Sequence, residues 1–383
     1  MKKRLLSLLL ALCTLLPLAA CGSTEPAQSS QGAQSSQEEQ GQISEPEKIT
    51  VDGMELGTGL AEEELAEAQL DENPDRDIDR AVEPIKPVPD TMLDGTALGD
   101  EFYYYRSTLD APQQQAYDLL RKGILAGKKK IQMTVPVDKG AIFDLYKKVL
   151  YDSPDLFWCE INGARFSYNN KGHVTSFMPG YNDLANNIEG NTAKLEAALS
   201  EALADIWSLS TDAEKAKYAH DYLTHYVNYD LNAPHNQTAY SALVDHASVC
   251  AGYAHGFQYL MQKVGIPCAY VLGYADGVYH AWNVVKLDGE HYAMDVTWDD
   301  PLGAAPGKYY YNYFNITDQK LGKDHIRAEA SAVIPAATGT ACSYQSAFGG
   351  NAQGTDFAAI VGVMPEQVTG GETNSTEGNP YLS

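Results

Sequence analysis

The chain has 383 residues, and its 51 Asp and Glu outnumber its 27 Lys and Arg, giving a formal charge of −24. So negative a chain is repelled by phosphate backbones and anionic headgroups, which excludes electrostatic binding to nucleic acid or to an anionic membrane surface. Much of the acidity precedes residue 100, so it belongs to a linker rather than to a binding site.

The first 20 residues, 1–20, are typical of a secretory signal peptide. Met-Lys-Lys-Arg is followed by an apolar run that ends at Leu18, too short and wrongly flanked to span a membrane. Leu18-Ala19-Ala20-Cys21 resembles a bacterial lipobox, which implies that Cys21 carries lipid and becomes the mature N-terminus. The resemblance predicts a protein that is secreted and lipid-anchored to the outer face of the bacterial cytoplasmic membrane. An ordinary signal peptide followed by an incidental cysteine is the alternative.

Residues 21–100 are rich in Ser, Gln, Glu, Gly and Pro and contain few aromatic residues. A segment of this composition cannot bury enough apolar surface to fold alone, so we predict a disordered acidic linker. Such a tether would hold a folded domain away from the membrane while keeping it attached.

Residues 101–207 predict a small α+β module. Asp110-Ala111-Pro112-Gln113 combines an acidic cap, an early proline and a capping-box glutamine, which is typical of a helix start. Helical patterns also occur near 142–150 and 191–206, and strand-like runs flank an Asn-Asn-Lys-Gly turn at 169–172. No residue here indicates chemistry, so the module either positions a substrate or forms the first half of a larger fold.

Residues 208–327 contain the residues that point to catalysis. Thr211-Asp212-Ala213-Glu214 predicts a helix start with a capping box, and Cys250 begins a second helical pattern further on. A cysteine at a helix N-terminus lies beside unpaired N–H groups, which favour a thiolate and can donate to an oxyanion. Gly252 and Gly256 would let another backbone approach this helix closely.

Two strand-like runs joined by a tight turn follow the Cys250 helix. Asp288-Gly289 is a residue pair favoured in type I′ hairpin turns, where both central residues take positive φ. That turn pairs Leu287 with Glu290 and sets His280 and Asp295 on one face, roughly 7–8 Å apart at the backbone. A one-residue slip would move Asp295 to the opposite face, so the arrangement requires a turn centred on Asp288-Gly289.

A nucleophile, a base and an orienting carboxylate thus follow one another along the chain as Cys250, His280 and Asp295. Around them, the sequence from about residue 218 to residue 301 resembles the transglutaminase-like superfamily, relatives of the papain-type cysteine peptidases. The resemblance rests on three motifs: Val249-Cys250-Ala251-Gly252-Tyr253-Ala254, His280-Ala281-Trp282-Asn283 and Asp295-Val296-Thr297-Trp298-Asp299-Asp300. It implies that Cys250 is the nucleophile, His280 the base and Asp295 the acid that orients the base.

The resemblance also implies an α+β fold with a papain-like core, in which the nucleophile helix packs on a small antiparallel sheet. No cofactor is implied, and the calcium sites of eukaryotic transglutaminases have no match in this sequence. We also predict no metal site, because the other histidines lack the spacing typical of ligands. Of these, His255 is expected to point away from the site, and His325 is expected to form a surface pair with Asp324.

The remaining cysteines form neither a disulfide framework nor a zinc-binding pattern. Cys159 and Cys268 lie in apolar strand-like runs, and we interpret them as buried inert thiols, with a bridge between them as the alternative. Cys342 falls within residues 328–383, which we expect to be a low-complexity C-terminal tail.

Four further residues are candidates for shaping the site. Trp282 and Trp298 flank the triad positions, where they would exclude water or simply pack the hairpin. Gln237 and Tyr240 precede the nucleophile, where a second oxyanion donor could lie, although Tyr240 is interpreted as a core residue. The sequence does not identify that donor.

The favoured function is cysteine acyl transfer on amide bonds of proteins or peptides at the cell surface or wall. Water as acceptor makes a peptidase or amidase, whereas a lysine amine makes a crosslinking transglutaminase, and the sequence favours neither. A tethered, non-catalytic binding module that keeps the fold is the alternative. A third class, a solute-binding lipoprotein, requires two lobes of alternating strands and helices that the sequence lacks. Oligomeric state is not predicted.

Overall fold

The structure is a computed structural model that describes residues 99–301 and 308–349, together with strand segments at 49–51, 54–56 and 353–356. The predicted signal peptide and Cys21 lie outside the described residues. Among the described residues, no helix combines the length and the apolar character that crossing a membrane requires.

Two short antiparallel strands lie within the region expected to be an unstructured linker. They are β1 (Ile49–Val51) and β2 (Met54–Leu56), and Val51 pairs with Met54. The expectation of disorder from 21 to 100 is therefore wrong over these residues. Asp-Gly, which separates the two strands in the sequence, is a hairpin signal that explains the pairing.

The N-terminal part of the described chain contains four α-helices and a three-stranded antiparallel sheet of order β3-β5-β4. Its elements are α1 (Tyr104–Ser107), α2 (Ala111–Leu125), β3 (Ile131–Gln132), α3 (Ile142–Asp152), β4 (Cys159–Tyr168) and β5 (Val174–Tyr181). The predicted capping box of α2 is present, because the Asp110 side chain accepts from the Gln113 amide and the Gln113 side chain accepts from the Asp110 amide. A helix α4 (Ile188–Ala202) follows β5 and leads towards the second part.

The second part begins with the predicted Thr211 capping box and a run of helices and short strands. These are α5 (Asp212–Tyr226), β6 (Asn228–Tyr229), α6 (Ala239–Leu243), β7 (Ala247–Ser248) and α7 (Cys250–Lys263). The remaining elements, which include the strands of the main sheet, are β8 (Cys268–Ala275), β9 (Val278–Leu287), β10 (Glu290–Met294), β11 (Lys308–Tyr310), α8 (Asp318–Leu321), β12 (His325–Arg327), α9 (Tyr344–Phe348) and β13 (Gln353–Asp356). Strands β10, β9, β8 and β12 form one antiparallel sheet in that order, while β11 pairs with β13.

The α+β prediction is confirmed, since helix α7 packs on strands β8 and β9 of a small antiparallel sheet. The predicted hairpin register is also present: Leu287 pairs with Glu290, and Asp288 and Gly289 both take positive φ, 50° and 86°. The ladder ends where Asn283 pairs with Met294, so Asp295 is the first residue beyond β10. This register sets the position of the site along the sheet.

One hydrophobic core runs through both parts of the described chain. It includes Tyr117 and Trp158 from the N-terminal part and Phe257 and Tyr292 from the second part, all fully buried. Continuity of this core favours the interpretation of residues 101–207 as the first half of a larger fold.

The segment from residue 328 to residue 348 is not the low-complexity tail that its composition predicts. Ser331, Ile334 and Ala337 are buried, and Tyr344 stacks on Tyr311 with ring centroids 3.9 Å apart. Small residues fit here because the segment lies closely against strands of the main sheet: the Ser331 hydroxyl, for instance, accepts a bond from a β8 amide at 2.8 Å. The predicted end of the core at residue 327 is therefore too early.

Candidate active site

Cys250 is the first residue of helix α7, as its sequence pattern predicts, and its side chain is only 1% exposed. The preceding residue, Val249, provides no side-chain cap. The Gly252 amide donates to the Val249 carbonyl at 2.9 Å, whereas the amides of Cys250 and Ala251, at the first two positions, have no intrahelical acceptor and can bind a group beside the cysteine. This end of α7 can therefore stabilise negative charge on the sulfur or on a substrate oxygen.

Gly252 allows the chain near residue 236 to approach the start of this helix. A Cβ atom at this position would lie 1.8 Å from the Ser248 Oγ and 2.7 Å from the Asn236 carbonyl oxygen. The same carbonyl accepts bonds from the Val249 amide at 3.1 Å and from the Ser248 hydroxyl at 2.7 Å. The close approach predicted from the glycine is thus present, and it fixes the turn that leads into Cys250.

His280 and Asp295 are hydrogen-bonded and buried. Nε2 of His280 donates to Oδ2 of Asp295 at 2.8 Å, and the Trp298 amide donates to Oδ1 of the same carboxylate at 3.1 Å. Burial disfavours the charged carboxylate, but His280 and then His325 outweigh it and hold the pKa of Asp295 well below its usual value. Asp295 is therefore an anion at neutral pH.

Cys250 lies close enough to His280 to influence its protonation. Burial opposes the imidazolium, yet Asp295 and then Cys250 outweigh it and raise the pKa of His280 well above its usual value. Because Nε2 is bonded to Asp295, Nδ1 is the nitrogen left for the proton of Cys250. The structure thus brings together all three residues that the sequence singled out.

A second histidine contacts the same carboxylate, which the sequence analysis missed. His325 is 3% exposed rather than on the surface, and its Nε2 lies 2.9 Å from Oδ2 of Asp295. Its Nδ1 lies 2.6 Å from Oδ1 of Asp324, so the predicted pairing with Asp324 exists but faces inward. His325 belongs to β12, which pairs with β8 some 50 residues earlier, and no local pattern indicates that pairing.

His280, Asp295 and His325 each offer a ligand atom, and these atoms lie within 4.8 Å of one another. Their N···O separations of 2.8 and 2.9 Å are those of hydrogen bonds. Tetrahedral ligands about 2 Å from zinc lie roughly 3.3 Å apart, so these contacts are too short for a shared ion. Hydrogen bonding is the interpretation that the distances favour.

The turn that carries Asp295 is held by a second buried cluster. The Asp295 amide donates to the Tyr313 carbonyl at 3.1 Å, and the Tyr313 amide donates to both oxygens of Asp299 at 3.1 Å. His220, fully buried, bridges Asp299 at 3.3 Å and Asp221 at 3.1 Å. Burial opposes its charge, but these two carboxylates raise the pKa of His220.

The two tryptophans next to the triad both contact its histidine. The ring of Trp282 lies parallel to His280 at 6.2 Å, and the ring of Trp298 lies 6.1 Å from His280. Trp282 is fully buried, whereas Trp298 is partly exposed. Both therefore shield the imidazole from water while packing the hairpin.

A cleft of about 350 Å³ opens over the cysteine, between the N-terminal part and the α7–β9 region. Its walls are largely apolar and aromatic, and they include Tyr151, Leu156, Phe157, Cys250, Tyr279 and His280. Gln237 also lines the cleft, whereas Tyr240 is buried in the core and stacks on Phe157 at 5.1 Å. The N-terminal part therefore supplies one wall of the site.

His255 lies on the wall of the cleft rather than pointing away from it. Its ring stacks on Tyr270 with centroids 4.0 Å apart, and Nδ1 faces the Gln258 side chain at 3.1 Å. Burial lowers the pKa of His255 to about 4, so it stays neutral and remains a poor base. His280 is the better-placed histidine for accepting a proton from Cys250.

All four cysteines within the described residues are free thiols. Burial raises the pKa of both Cys159 and Cys268 well above the usual value, which agrees with the interpretation of inert buried thiols. Cys342, expected in a flexible tail, is 4% exposed, and burial raises its pKa as well. Cys159 also lines the cleft, but Cys250 is the thiol that interacts with His280.

Comparison with known proteins identifies a domain within the chain. Residues 201–296 match the model of the transglutaminase-like superfamily, and this segment ends one residue after Asp295. Residues 201–296 are therefore a transglutaminase-like domain.

Two curated relatives align with part of the chain. The kyphoscoliosis peptidase of Homo sapiens is 28% identical over 129 residues, which cover 29% of this chain and 19% of the relative. The kyphoscoliosis peptidase of Mus musculus is 25% identical over 126 residues, 28% of this chain and 19% of the relative. The chain thus spans about a fifth of the length of these relatives.

Solved structures show a distant likeness. A structure of a TGase aligns at 16% identity and a TM-score of 0.26, covering 35% of this chain and 44% of that one. A proposed cysteine protease from Cytophaga hutchinsonii aligns at 14% identity and a TM-score of 0.27, covering 48% of this chain and 68% of that one.

Proposed function

We propose that this protein is a cysteine-dependent acyl-transfer enzyme that acts on amide bonds of proteins or peptides. One observation supports this most directly: His280 lies between the Cys250 thiol and Asp295, bonded to the carboxylate through Nε2. A thiol at a helix start, a histidine beside it and a carboxylate behind the histidine are the parts of an activated nucleophile. The match of residues 201–296 to the transglutaminase-like superfamily agrees with this chemistry.

The reaction begins with transfer of the Cys250 proton to Nδ1 of His280. The resulting thiolate attacks the carbonyl carbon of a bound amide, and the oxygen gains negative charge beside the first amides of α7. His280 then returns the proton to the departing amine while the C–N bond breaks. The product of this half is a thioester between the substrate acyl group and Cys250, together with a released amine.

Water or an amine then attacks the thioester, and His280 accepts the proton of the attacking group. The C–S bond breaks, and the proton passes to the sulfur, which restores the thiol. Asp295 keeps the imidazole in the tautomer that has Nδ1 free and stabilises the imidazolium that forms twice per cycle. Water gives peptidase or amidase products, whereas a lysine amine gives a crosslink.

The cleft supports a peptide or protein as the substrate. Its aromatic walls suit apolar side chains, and the Oδ1 atom of Asn236, buried without a hydrogen-bond partner, is in a residue that lines it. A buried acceptor without a donor is costly, so a substrate N–H that bonds to it would gain from the contact. Asn236 is therefore a candidate for binding the substrate backbone.

We further propose that the enzyme acts outside the cell, tethered to the membrane through lipid on Cys21. The support is the sequence of residues 1–21 alone. Replacing the cysteine, Cys21→Ala, should release the protein from the membrane fraction into the medium. Retention of the variant in the membrane fraction to the same extent as the wild type would contradict the tether.

The test of acyl transfer uses p-nitrophenyl acetate, an activated acyl donor that reports on the nucleophile without knowledge of the natural substrate. We expect a burst of nitrophenol close to one per chain and an acetyl group on Cys250, located by mass spectrometry. Cys250→Ala should abolish the burst, and His280→Ala should slow it by roughly 10²-fold or more.

The same experiment also tests the second half-reaction, in which water or an amine attacks the thioester. Adding a primary amine such as n-butylamine shows whether the acetyl group passes to amine or to water, which separates a transferase from a hydrolase. A burst no larger in the wild type than in Cys250→Ala would overturn the enzyme proposal and leave the non-catalytic binding module.

A further inference from the structure

We infer that His325 is a positioning residue of this site: as a cation held between Asp324 and Asp295, it fixes the carboxylate that orients His280. The inference rests on the proposed function, because it assigns His325 a part in activating Cys250. It adds a fourth group to the three that the superfamily resemblance implies.

The geometry requires both ring nitrogens of His325 to face carboxylates. Nε2 lies 2.9 Å from Oδ2 of Asp295, and Nδ1 lies 2.6 Å from Oδ1 of Asp324. A carboxylate accepts and does not donate, so only the doubly protonated ring can donate to both at once. Bonds in which both groups are charged are among the stronger ones, which suits distances this short.

The ring is enclosed by aromatic side chains that keep water away. Ring centroids of Trp298, Trp282 and Tyr313 lie 4.6, 5.2 and 5.4 Å from that of His325. His325 itself is 3% exposed. The face of an aromatic ring attracts a cation, and exclusion of water strengthens each charged contact.

Four titratable groups face His325 from the elements packed around it. Asp324 precedes it in the chain, Asp295 lies beyond β10, His280 is on β9 with its ring centroid 5.7 Å away, and Tyr313 lies before α8. The Tyr313 hydroxyl donates to Oδ2 of Asp324 at 2.8 Å, which holds this carboxylate against the ring. Two anions and one neighbouring histidine thus set the charge that surrounds His325.

The positive charge on His325 affects the protonation of both Cys250 and His280. A positive charge beside Asp295 favours a thiolate on Cys250, because it adds to the positive potential near the sulfur. The same charge opposes protonation of His280, so the imidazolium can give up its proton to the leaving amine. Because Oδ2 of Asp295 is shared by two imidazoles, it holds neither as tightly as it would hold one.

The test is the pH profile of Cys250 alkylation by iodoacetamide in the full chain, followed at the Cys250 peptide by mass spectrometry. His325→Gln retains an N–H that can donate to Asp295 but removes the charge. We expect this variant to react about tenfold more slowly than the wild type near pH 5–6 and within about twofold of it near pH 9. Asp324→Asn should shift the profile in the same direction by a smaller amount.

The matched control is His291→Gln, at a partly buried histidine on β10 that contacts the Tyr104 hydroxyl at 3.3 Å and lies outside the network. Its profile should overlay that of the wild type. A merely structural role for His325 would lower the rate by the same factor at every pH, and either that result or an unchanged profile would overturn the inference.

Two further outcomes keep this proposal separate from the proposed function. If His325→Gln does not fold, the test rests on Asp324→Asn. A pH profile of Cys250 alkylation in Asp324→Asn that is identical to the wild-type profile would then reject a charged His325. If wild-type Cys250 itself shows no reactivity below the pH at which a free thiol titrates, about 8.5, the proposed function fails first.

Discussion

Nε2 of His280 lies 2.8 Å from Oδ2 of Asp295, although 15 residues separate them in the chain. The contact exists because the β9–β10 turn is centred on Asp288 and Gly289, so that both residues emerge on one face of the sheet. A turn shifted by one residue would point Asp295 the other way. A local sequence signal therefore positions the Asp295 carboxylate beside the His280 imidazole.

Replacing the orienting acid with its amide, Asp295→Asn, should reduce the rate of the p-nitrophenyl acetate burst by roughly 10²–10⁴-fold. The amide can present an N–H towards His280 and so favours the tautomer in which Nδ1 already carries a proton. The control, Asp276→Asn, changes an exposed aspartate in the β8–β9 turn and should leave the burst unchanged. A loss of less than about threefold, with folding intact by circular dichroism, would contradict the role of Asp295.

The close approach at the start of α7 should make Gly252 intolerant of any side chain. Gly252→Ala places a Cβ atom 2.7 Å from the Asn236 carbonyl and 2.9 Å from the Thr238 carbonyl, both backbone atoms that cannot move alone. We expect a loss of about 3 kcal/mol or more in the free energy of unfolding, measured by urea denaturation.

Gly256→Ala, one turn further along the same helix, is the control for Gly252. Its new Cβ atom would meet the Ala242 Cβ at 3.2 Å and a Leu223 methyl at 3.3 Å, side-chain contacts that can relax. The gain in helix propensity, about 1 kcal/mol, offsets this crowding, so stability should change by less than about 1 kcal/mol. Equal losses in the two variants would show that backbone approach is not what distinguishes Gly252.

The packing of residues 328–348 predicts a large effect of Tyr344→Ala. Tyr344 is 5% exposed and stacks on Tyr311, so truncation should cost about 3–4 kcal/mol in the free energy of unfolding. Val333→Ala, at a position that is 43% exposed, should cost less than about 0.5 kcal/mol. If both variants unfold at the wild-type urea concentration, the segment does not contribute to the core.

The His280–Asp295 pair should make stability depend on pH in a defined direction. The pKa of His280 is raised, so its contribution is fully present below about pH 6.5 and is lost as the pH rises through the raised value. The pKa of Asp295 is lowered, so its contribution is present above about pH 4 and is lost as the pH falls. The difference in Tm between the wild type and His280→Gln should therefore be largest between about pH 4 and pH 6.5. A difference that instead grows towards pH 9 would contradict the assigned shifts.

Elements specified by neighbouring residues could be predicted from the sequence. The capping boxes at Asp110 and Thr211, the start of α7 at Cys250 and the Asp288-Gly289 turn each depend on a few adjacent side chains. Because Cys250, His280 and Asp295 belong to a helix start and one hairpin, their proximity could be predicted in the same way.

Features that depend on distant pairing could not be predicted. His325 reaches Asp295 only because β12 joins the edge of the sheet at β8, and a three-residue strand leaves almost no pattern. Residues 328–348 have the composition of a tail, and the burial of Ser331, Ile334 and Tyr344 depends on contacts with distant parts of the chain. The cleft needs both halves of the fold, so neither half alone indicates its shape.

The central claim is that Cys250 is activated by His280, and the rate of its alkylation by iodoacetamide from about pH 4 to about pH 9 tests this most directly. We predict that the wild-type rate reaches a plateau well below pH 8, and that His280→Ala loses the plateau and reacts only as a free thiol titrates, near pH 8.5. Cys250→Ala identifies any signal from the other cysteines. A wild-type rate that rises only near pH 8.5 and is unchanged in His280→Ala would contradict the account and favour a binding module.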